Sequence, residues 1–155
     1  MERKTKIQAE EGKQDLTITR EFDLPVELLF KAYAEAGIIE QWMGTKVLKL
    51  ENKQHGCYQF ETRDPQGNVL FAANGTIHDV VPNENIVRTF EMSNASFDVQ
   101  LEFLQFEQIT ADTSKLTIHI IYRSPEHRAE QLRLPFSYGI NMAHDRLEEI
   151  VSKLK

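Results

Sequence analysis

Residues 136–155 read FSYGINMAHDRLEEIVSKLK. Phe136, Ile140, Ala143, Leu147, Ile150 and Leu154 recur at spacings of 4, 3, 4, 3 and 4. That period gathers them into one apolar stripe on a long amphipathic helix. Asp145, Glu148, Glu149 and Lys153 fall elsewhere around it. A helix with a single stripe has one surface to cover. Pro135 breaks or restarts the helix at its upstream end. Ser124-Pro125-Glu126 is a cap-and-start signal for a helical segment before that break.

The residues upstream supply the surface. Leu16, Ile18, Arg20 and Phe22 alternate with Thr17, Thr19 and Glu21, a period-2 strand rich in β-formers. Asp23 can cap the helix after that strand, and Pro25 suits a first helical turn. Val26, Leu29, Phe30 and Tyr33 recur at helical spacing, and Gly37 ends that helix. Residues 38–42 add one further short helical turn. From Lys46 the pattern is β: strands are expected at 47–50, 57–62, 68–81, 86–92, 97–109 and 115–123. Asp64-Pro65-Gln66-Gly67 and Pro82-Asn83-Glu84-Asn85 are turn tetrads between them. Gly75 inside a strand suggests a bulge or bend. Between 97 and 109 the apolar residues switch parity, from Val99, Leu101 and Phe103 to Leu104 and Phe106, which also reads as a bulge.

Consecutive strands joined by short turns imply an antiparallel meander with one face to cover. The C-terminal stripe is the cover. The expected fold class is α+β: a bent antiparallel sheet wrapped around a long C-terminal helix, with two short helices between the first two strands. Residues 1–13 are charged and aperiodic and read as a mobile N-terminal arm, leaving 14–155 as a single domain.

Composition bounds the function. The chain has 155 residues, enough for one domain with a real core. It carries 18 basic and 24 acidic residues, a net charge of −6. That balance argues against nucleic acid or an anionic membrane as partner. No apolar run approaches the roughly 18 residues of a membrane span. The start, MERKTKIQAEEGKQ, has no apolar core of the kind a signal peptide needs. Cys57 is the only cysteine, which fits a reducing, cytoplasmic setting.

The ordered set of residues resembles a known family. Thr19-Arg20-Glu21-Phe22-Asp23-Leu24-Pro25 is similar to its opening strand and turn. Phe30, Ala32 and Trp42 with Gly44 resemble its first helices. Gly56 with Tyr58, then Gly67, Gly75, Pro82 and Thr89, resemble its strand glycines and turns. Leu116-Thr117 resembles the last strand, and Gly139 with Asp145-Arg146-Leu147 the final helix. The family is that of the activator of heat-shock-protein (Hsp90) ATPase homologues, within the START-like (SRPBCC) superfamily. The resemblance implies the helix-grip fold, as in the birch-pollen allergen, with a cavity between sheet and helix. Three positions depart from the family: Met43 where a second aromatic is common, Ile140 where Trp is common, and His144 where Leu is usual.

No catalytic constellation is present. His55, His78, His119, His127 and His144 form neither HxH nor HExxH, so no metal site is expected. No nucleophile elbow, P-loop or dinucleotide fingerprint occurs, and no cofactor is expected. Cys57 has no neighbouring base and reads as an inert thiol. The positive signal is aromatic: Phe22, Tyr58, Phe60, Phe71, Phe90, Phe103 and Tyr122 share strand parities that suit either a filled core or an apolar cavity. Arg20 and Arg88 lie on apolar parities, and a buried Arg needs a partner. It is a snorkelling stem at a strand end, an internal ion pair, or a cavity group that orients a ligand carboxylate or phenolate. Trp42, the one tryptophan, comes after the helix pair and either lines or gates the cavity mouth or packs on the sheet edge. Tyr138 and Met142 flank the helix stripe. The candidate ligand-binding set is Trp42, Phe60, Phe71, Arg88, Phe90, Phe103, Tyr122, Tyr138 and Met142.

Three functions are compatible. The first is a non-enzymatic domain that binds a small hydrophobic or aromatic molecule, lipid-like or polyketide-like. The second, implied by the resemblance, is a co-chaperone-like module with a chaperone partner. The third is a cavity enzyme of the polyketide cyclase or aromatase type. A monomer or weak dimer is expected, because the helix stripe is already used within the chain.

Overall fold

A computed structural model describes residues 4–93, 98–133 and 135–155. Eight strands and four helices run in the order β1 (Lys6–Gln8), β2 (Asp15–Phe22), α1 (Val26–Ala34), α2 (Ala36–Met43), β3 (Lys46–Leu50), β4 (Cys57–Arg63), β5 (Val69–Val81), β6 (Asn85–Met92), β7 (Gln100–Gln108), β8 (Ser114–Ile121), α3 (Pro125–Arg133) and α4 (Phe136–Ser152). The strands form one antiparallel sheet ordered β1-β2-β8-β7-β6-β5-β4-β3. The helices cover one face. This is the helix-grip arrangement that the stripe and the meander imply.

Period-2 alternation sets the strands' faces. In β2, Leu16, Ile18, Arg20 and Phe22 are buried, and in β8 Ser114, Leu116, Ile118 and Ile120 are. The hairpin turns close as their residues dictate. Gly67 adopts φ 88°, and the Asp64 carboxylate accepts from the Gln66 and Asn68 amides at 2.9 and 2.8 Å. Asn83 adopts φ 66° in the β5–β6 turn, a backbone state that asparagine tolerates well. Ser124 caps α3 through the His127 amide at 3.2 Å.

Several expectations change. Within the expected N-terminal arm at residues 1–13, Lys6–Gln8 is a strand that pairs with Thr17, Ile18 and Thr19 and covers the β2 edge. Thr5 beside it is buried. Residues 1–3 and Phe97, the expected start of β7, lie outside the described residues. Gly37 does not end α1. The break falls at Glu35, which is extended, and Gly37 sits in the first turn of α2. Asp23 does not cap α1, whose first amides bond to the Pro25 carbonyl. Gly75 is in regular register opposite Tyr58, and the register shifts of β5 fall on either side of it, between Val69 and Phe71 against β4 and between Ile77 and Asp79 against β6. β7 keeps its register throughout. Its inward residues are Gln100, Glu102, Leu104 and Phe106.

The buried face of α4 is His144, Leu147 and Val151, with Ile140 beside them, while Leu154 is exposed. Buried residues fall into two clusters. The larger joins β2, β8, α1 and α4; the smaller gathers Ile39, Tyr58, Phe60 and Ile77. Fully burying one aliphatic side chain such as Leu147 contributes about 2 kcal/mol.

Candidate functional site

A cavity of about 520 Å³ takes its walls from both clusters. Ile18, Ile118 and Ile120 line it from β2 and β8, Phe60 from β4, Phe71 from β5 and Phe90 from β6. Tyr33, Ile39, Trp42 and Met43 close it from α1 and α2. The opposite wall is α4. Gly139, Met142, Ala143 and Arg146 stand at i, i+3, i+4 and i+7, one face of that helix. Two of these four are the smallest side chains available, so the helix leaves space where a stripe of larger residues would fill it. A Cβ built on Gly139 meets no atom within 4 Å.

Gly139 is helical and exposed, so its replacement tests that geometry directly. Gly139→Ala is expected to raise stability by about 0.8 kcal/mol, because glycine is costly in a helix interior and the methyl has room. Urea denaturation reads the effect, and a loss of stability would show the space is not there.

The polar part of the lining is concentrated on β6 and β7. Arg88 and Glu102 are direct cross-strand neighbours. Arg88 Nε donates to Glu102 Oε1 at 3.0 Å, and Gln100 Nε2 donates to Glu102 Oε2 at 2.8 Å. Both carboxylate oxygens are therefore engaged. The Arg88 guanidinium also lies 5.1 Å from the Tyr58 ring centroid, within cation–π range. Tyr58 is held by its own hydroxyl, which donates to the Thr89 carbonyl at 2.5 Å. The side-chain amide oxygens of Gln100 and Gln131 are buried with no hydrogen-bond partner among the described residues. The open end of the cavity is marked by exposed Gly44, Met142 and Arg146.

The candidate residues divide. Trp42, Phe60, Phe71, Arg88, Phe90 and Met142 line the cavity together. Trp42 is 5% exposed and anchored by a 2.7 Å hydrogen bond from Nε1 to the Ala32 carbonyl, so its ring is a fixed wall rather than a gate. Phe103 does not line it. It is on the outer face of β7, opposite and stacked on His119 at 6.1 Å. Tyr122 is packed in the larger core cluster and is not part of the lining, and burial raises its hydroxyl pKa. Tyr138 points away on the exposed side of α4.

Arg20 is the internal ion pair and not a cavity group: its guanidinium meets Asp145 at 2.7 Å and Glu148 at 3.8 Å. Sequence reading missed Glu102, Gln100, Tyr33, Gln131 and Arg146. Only Glu102 left a trace, as a carboxylate on the parity that Leu104 and Phe106 share.

A second buried network borders the cavity. His144 Nδ1 is 2.9 Å from Thr5 Oγ1 and Nε2 is 3.4 Å from the Tyr33 hydroxyl. The ring packs edge-on to Phe22 at 5.5 Å. Burial, reinforced by the Arg20 charge, lowers its pKa from 6.5 to about 3, so the ring is neutral. Burial likewise raises the Tyr33 hydroxyl pKa well above its usual value.

Residues 23–152 match the family model described as Activator of Hsp90 ATPase homolog 1-like protein. The chain belongs to that family. Solved structures share the family fold. Protein Ms6760 from Mycobacterium smegmatis superposes with a TM-score of 0.82 at 19% identity, covering 94% of this chain and 95% of its own. A Rhodobacter sphaeroides protein gives 0.82 at 18% identity, over 96% and 99% of the two chains. An Arthrobacter aurescens protein gives 0.84 at 12% identity, over 96% and 91%. No curated protein matches. In this Hsp90-activator-homologue domain Met43 and Ile140 both fall on the cavity lining, whereas His144 belongs to the adjoining buried network. No described helix is long and apolar enough to cross a membrane.

Proposed function

We propose that this domain binds a small hydrophobic or aromatic molecule inside the cavity between sheet and α4. The observation that supports it is a mostly apolar space of about 520 Å³ with one compact polar cluster. Binding cavities are typically ~300–1,000 Å³, apolar, and provided with a few orienting polar groups. The reading is favoured over a protein-interaction module because the distinctive feature is internal. The space exists because α4 presents Gly139 and Ala143 where larger side chains would close it.

Titration with the neutral fluorophore N-phenyl-1-naphthylamine tests the proposal. Saturable binding at one site per chain is expected, with a rise in melting temperature. A ligand at 100 times its dissociation constant stabilises the fold by about 2.7 kcal/mol. Gly139→Phe directs a ring along the cavity-lining face of α4 and is expected to weaken the probe at least about tenfold, a loss near 1.4 kcal/mol. The melting temperature of this variant serves as the folding control. Equal probe affinity in a folded Gly139→Phe protein contradicts the proposal.

A further inference from the structure

The polar cluster specifies which end group a cavity ligand carries. We propose that the ligand's buried group is neutral and both donates and accepts hydrogen bonds, a hydroxyl or phenol, and that a carboxylate is excluded from that position. This inference rests on the cavity-binding reading above and adds the chemical class of the ligand.

Charge balance comes first. An isolated Arg88 on the wall would attract an anion. Glu102, directly opposite in register and 3.0 Å from Nε, already neutralises it. The two side chains are only 14% and 9% exposed, so water screens them little. A ligand carboxylate beside Arg88 would bring a second negative charge next to Glu102 in a desolvated space. Like charges in such a setting cost far more than at a surface. A neutral oxygen carries no such penalty and can still accept from the guanidinium.

Hydrogen-bond valence comes second. Gln100 is 2% exposed and spends its amide N–H on Glu102 Oε2, which orients the amide and leaves its oxygen unpartnered among the described residues. Gln131, 6% exposed and lining the same cavity from α3, has an amide oxygen with no partner among the described residues. Buried acceptors without donors are uncommon in folded proteins. A ligand hydroxyl donates to one of them and accepts from Arg88. A ketone accepts only, and a hydrocarbon does neither.

Three probes with one skeleton separate the possibilities: naphthalene, 2-naphthol and 2-naphthoate, each competing with N-phenyl-1-naphthylamine at neutral pH. In the intact protein, 2-naphthol is expected to bind about tenfold more tightly than naphthalene, the contribution of a hydrogen bond to a charged partner. 2-Naphthoate is expected to be the weakest. Glu102→Gln removes the opposing charge and is expected to shift the naphthol-to-naphthoate ratio toward the acid by about a hundredfold. Since Glu102→Gln leaves Arg88 unbalanced, the double variant Arg88→Met/Glu102→Met provides an independent check. Replacing a buried ion pair by apolar residues of similar volume is often neutral for stability. It is expected to erase the preference for naphthol over naphthalene.

Naphthoate binding the intact protein as tightly as naphthol overturns this inference and leaves cavity binding standing. So does a ratio that Glu102→Gln fails to move, as an acid seated on Arg146 at the mouth would produce. So does a naphthol preference that survives in the double variant. Failure of the fluorophore itself to bind overturns both the inference and the reading beneath it.

Discussion

Gly75→Ala is expected to lower the unfolding free energy by about 3 kcal/mol, with a fall of roughly 10 °C in melting temperature. The added methyl carbon would lie 2.0 Å from the Thr89 carbonyl oxygen and 2.6 Å from the Tyr58 ring. Neither neighbour can yield cheaply. The Thr89 carbonyl belongs to the backbone of β6, and the Tyr58 hydroxyl is bonded to that same oxygen. Tyr58 lies directly across from Gly75 in register, so the ring covers the glycine and fills the place of its missing side chain. Displacing Tyr58 would also move the aromatic face over which Arg88 lies, so weaker probe binding is expected alongside the lost stability. Urea denaturation followed by circular dichroism checks this. A variant within about 0.5 kcal/mol of the parent, the range of ordinary surface substitutions, would show that the close approach is not there.

The second large effect is loss of stability in acid through His144. Its pKa is lowered to about 3 in the folded protein, against about 6.5 when unfolded. Between those values the unfolded chain binds a proton that the folded chain does not. Stability contributed by the neutral ring is therefore complete above about pH 6.5 and falls as the pH drops toward 3. The slope approaches about 1.4 kcal/mol per pH unit. The groups around the ring set the sign. Thr5 and Tyr33 hydrogen-bond its two nitrogens, Phe22 covers an edge, and the Arg20 guanidinium opposes a second cation. Asp145 acts the other way, but it is exposed and already paired to Arg20. Asp15 and Asp98, whose pKa values are lowered chiefly by hydrogen bonds to His119 and to the Val99 amide, also lose stabilisation in acid. The comparison with His144→Leu isolates the histidine. The variant is expected to have a flatter stability profile between pH 6 and 4, inside that window. Parallel profiles for the two proteins would contradict the assignment.

The long elements were legible because each needs only a local period. The C-terminal stripe located α4, the alternation in β2 and β8 located those two neighbouring strands, and the turn tetrads located the hairpins. The inner face of β7 was not legible in the same way. Phe103 is more apolar than Glu102, so alternation read by hydropathy alone turned the strand inside out and required a bulge to recover. What places Glu102 inside is an arginine 14 residues away in sequence and opposite in register. Hydropathy of a single strand carries no information about that partner. The strand at residues 6–8, inside the expected arm at 1–13, was not legible for a similar reason. Its charges suit solvent, but the β2 edge supplies backbone partners that no composition argument counts. Phe60, Phe71, Arg88 and Phe90 were legible because aromatic and cationic residues on apolar strand parities mark a lining as well as a core, whereas Trp42 and Met142 are marked by their places after the helix pair and beside the helix stripe. Tyr138 and Tyr122 carry the same signal and lie outside it, one on the wrong side of α4 and one packed beneath the lining.

The most direct test of the central claim is a set of isotope-filtered nuclear Overhauser contacts between bound 2-naphthol and labelled methyl groups. Ile118 and Ile120 belong to the sheet wall of the cavity, Ala143 and Met142 to the helix wall. Only a molecule held between the two layers can touch both sets, and contacts to both are the expected result. Contacts confined to exposed methyls such as Leu48 and Leu70, or none at saturating 2-naphthol, would contradict the account.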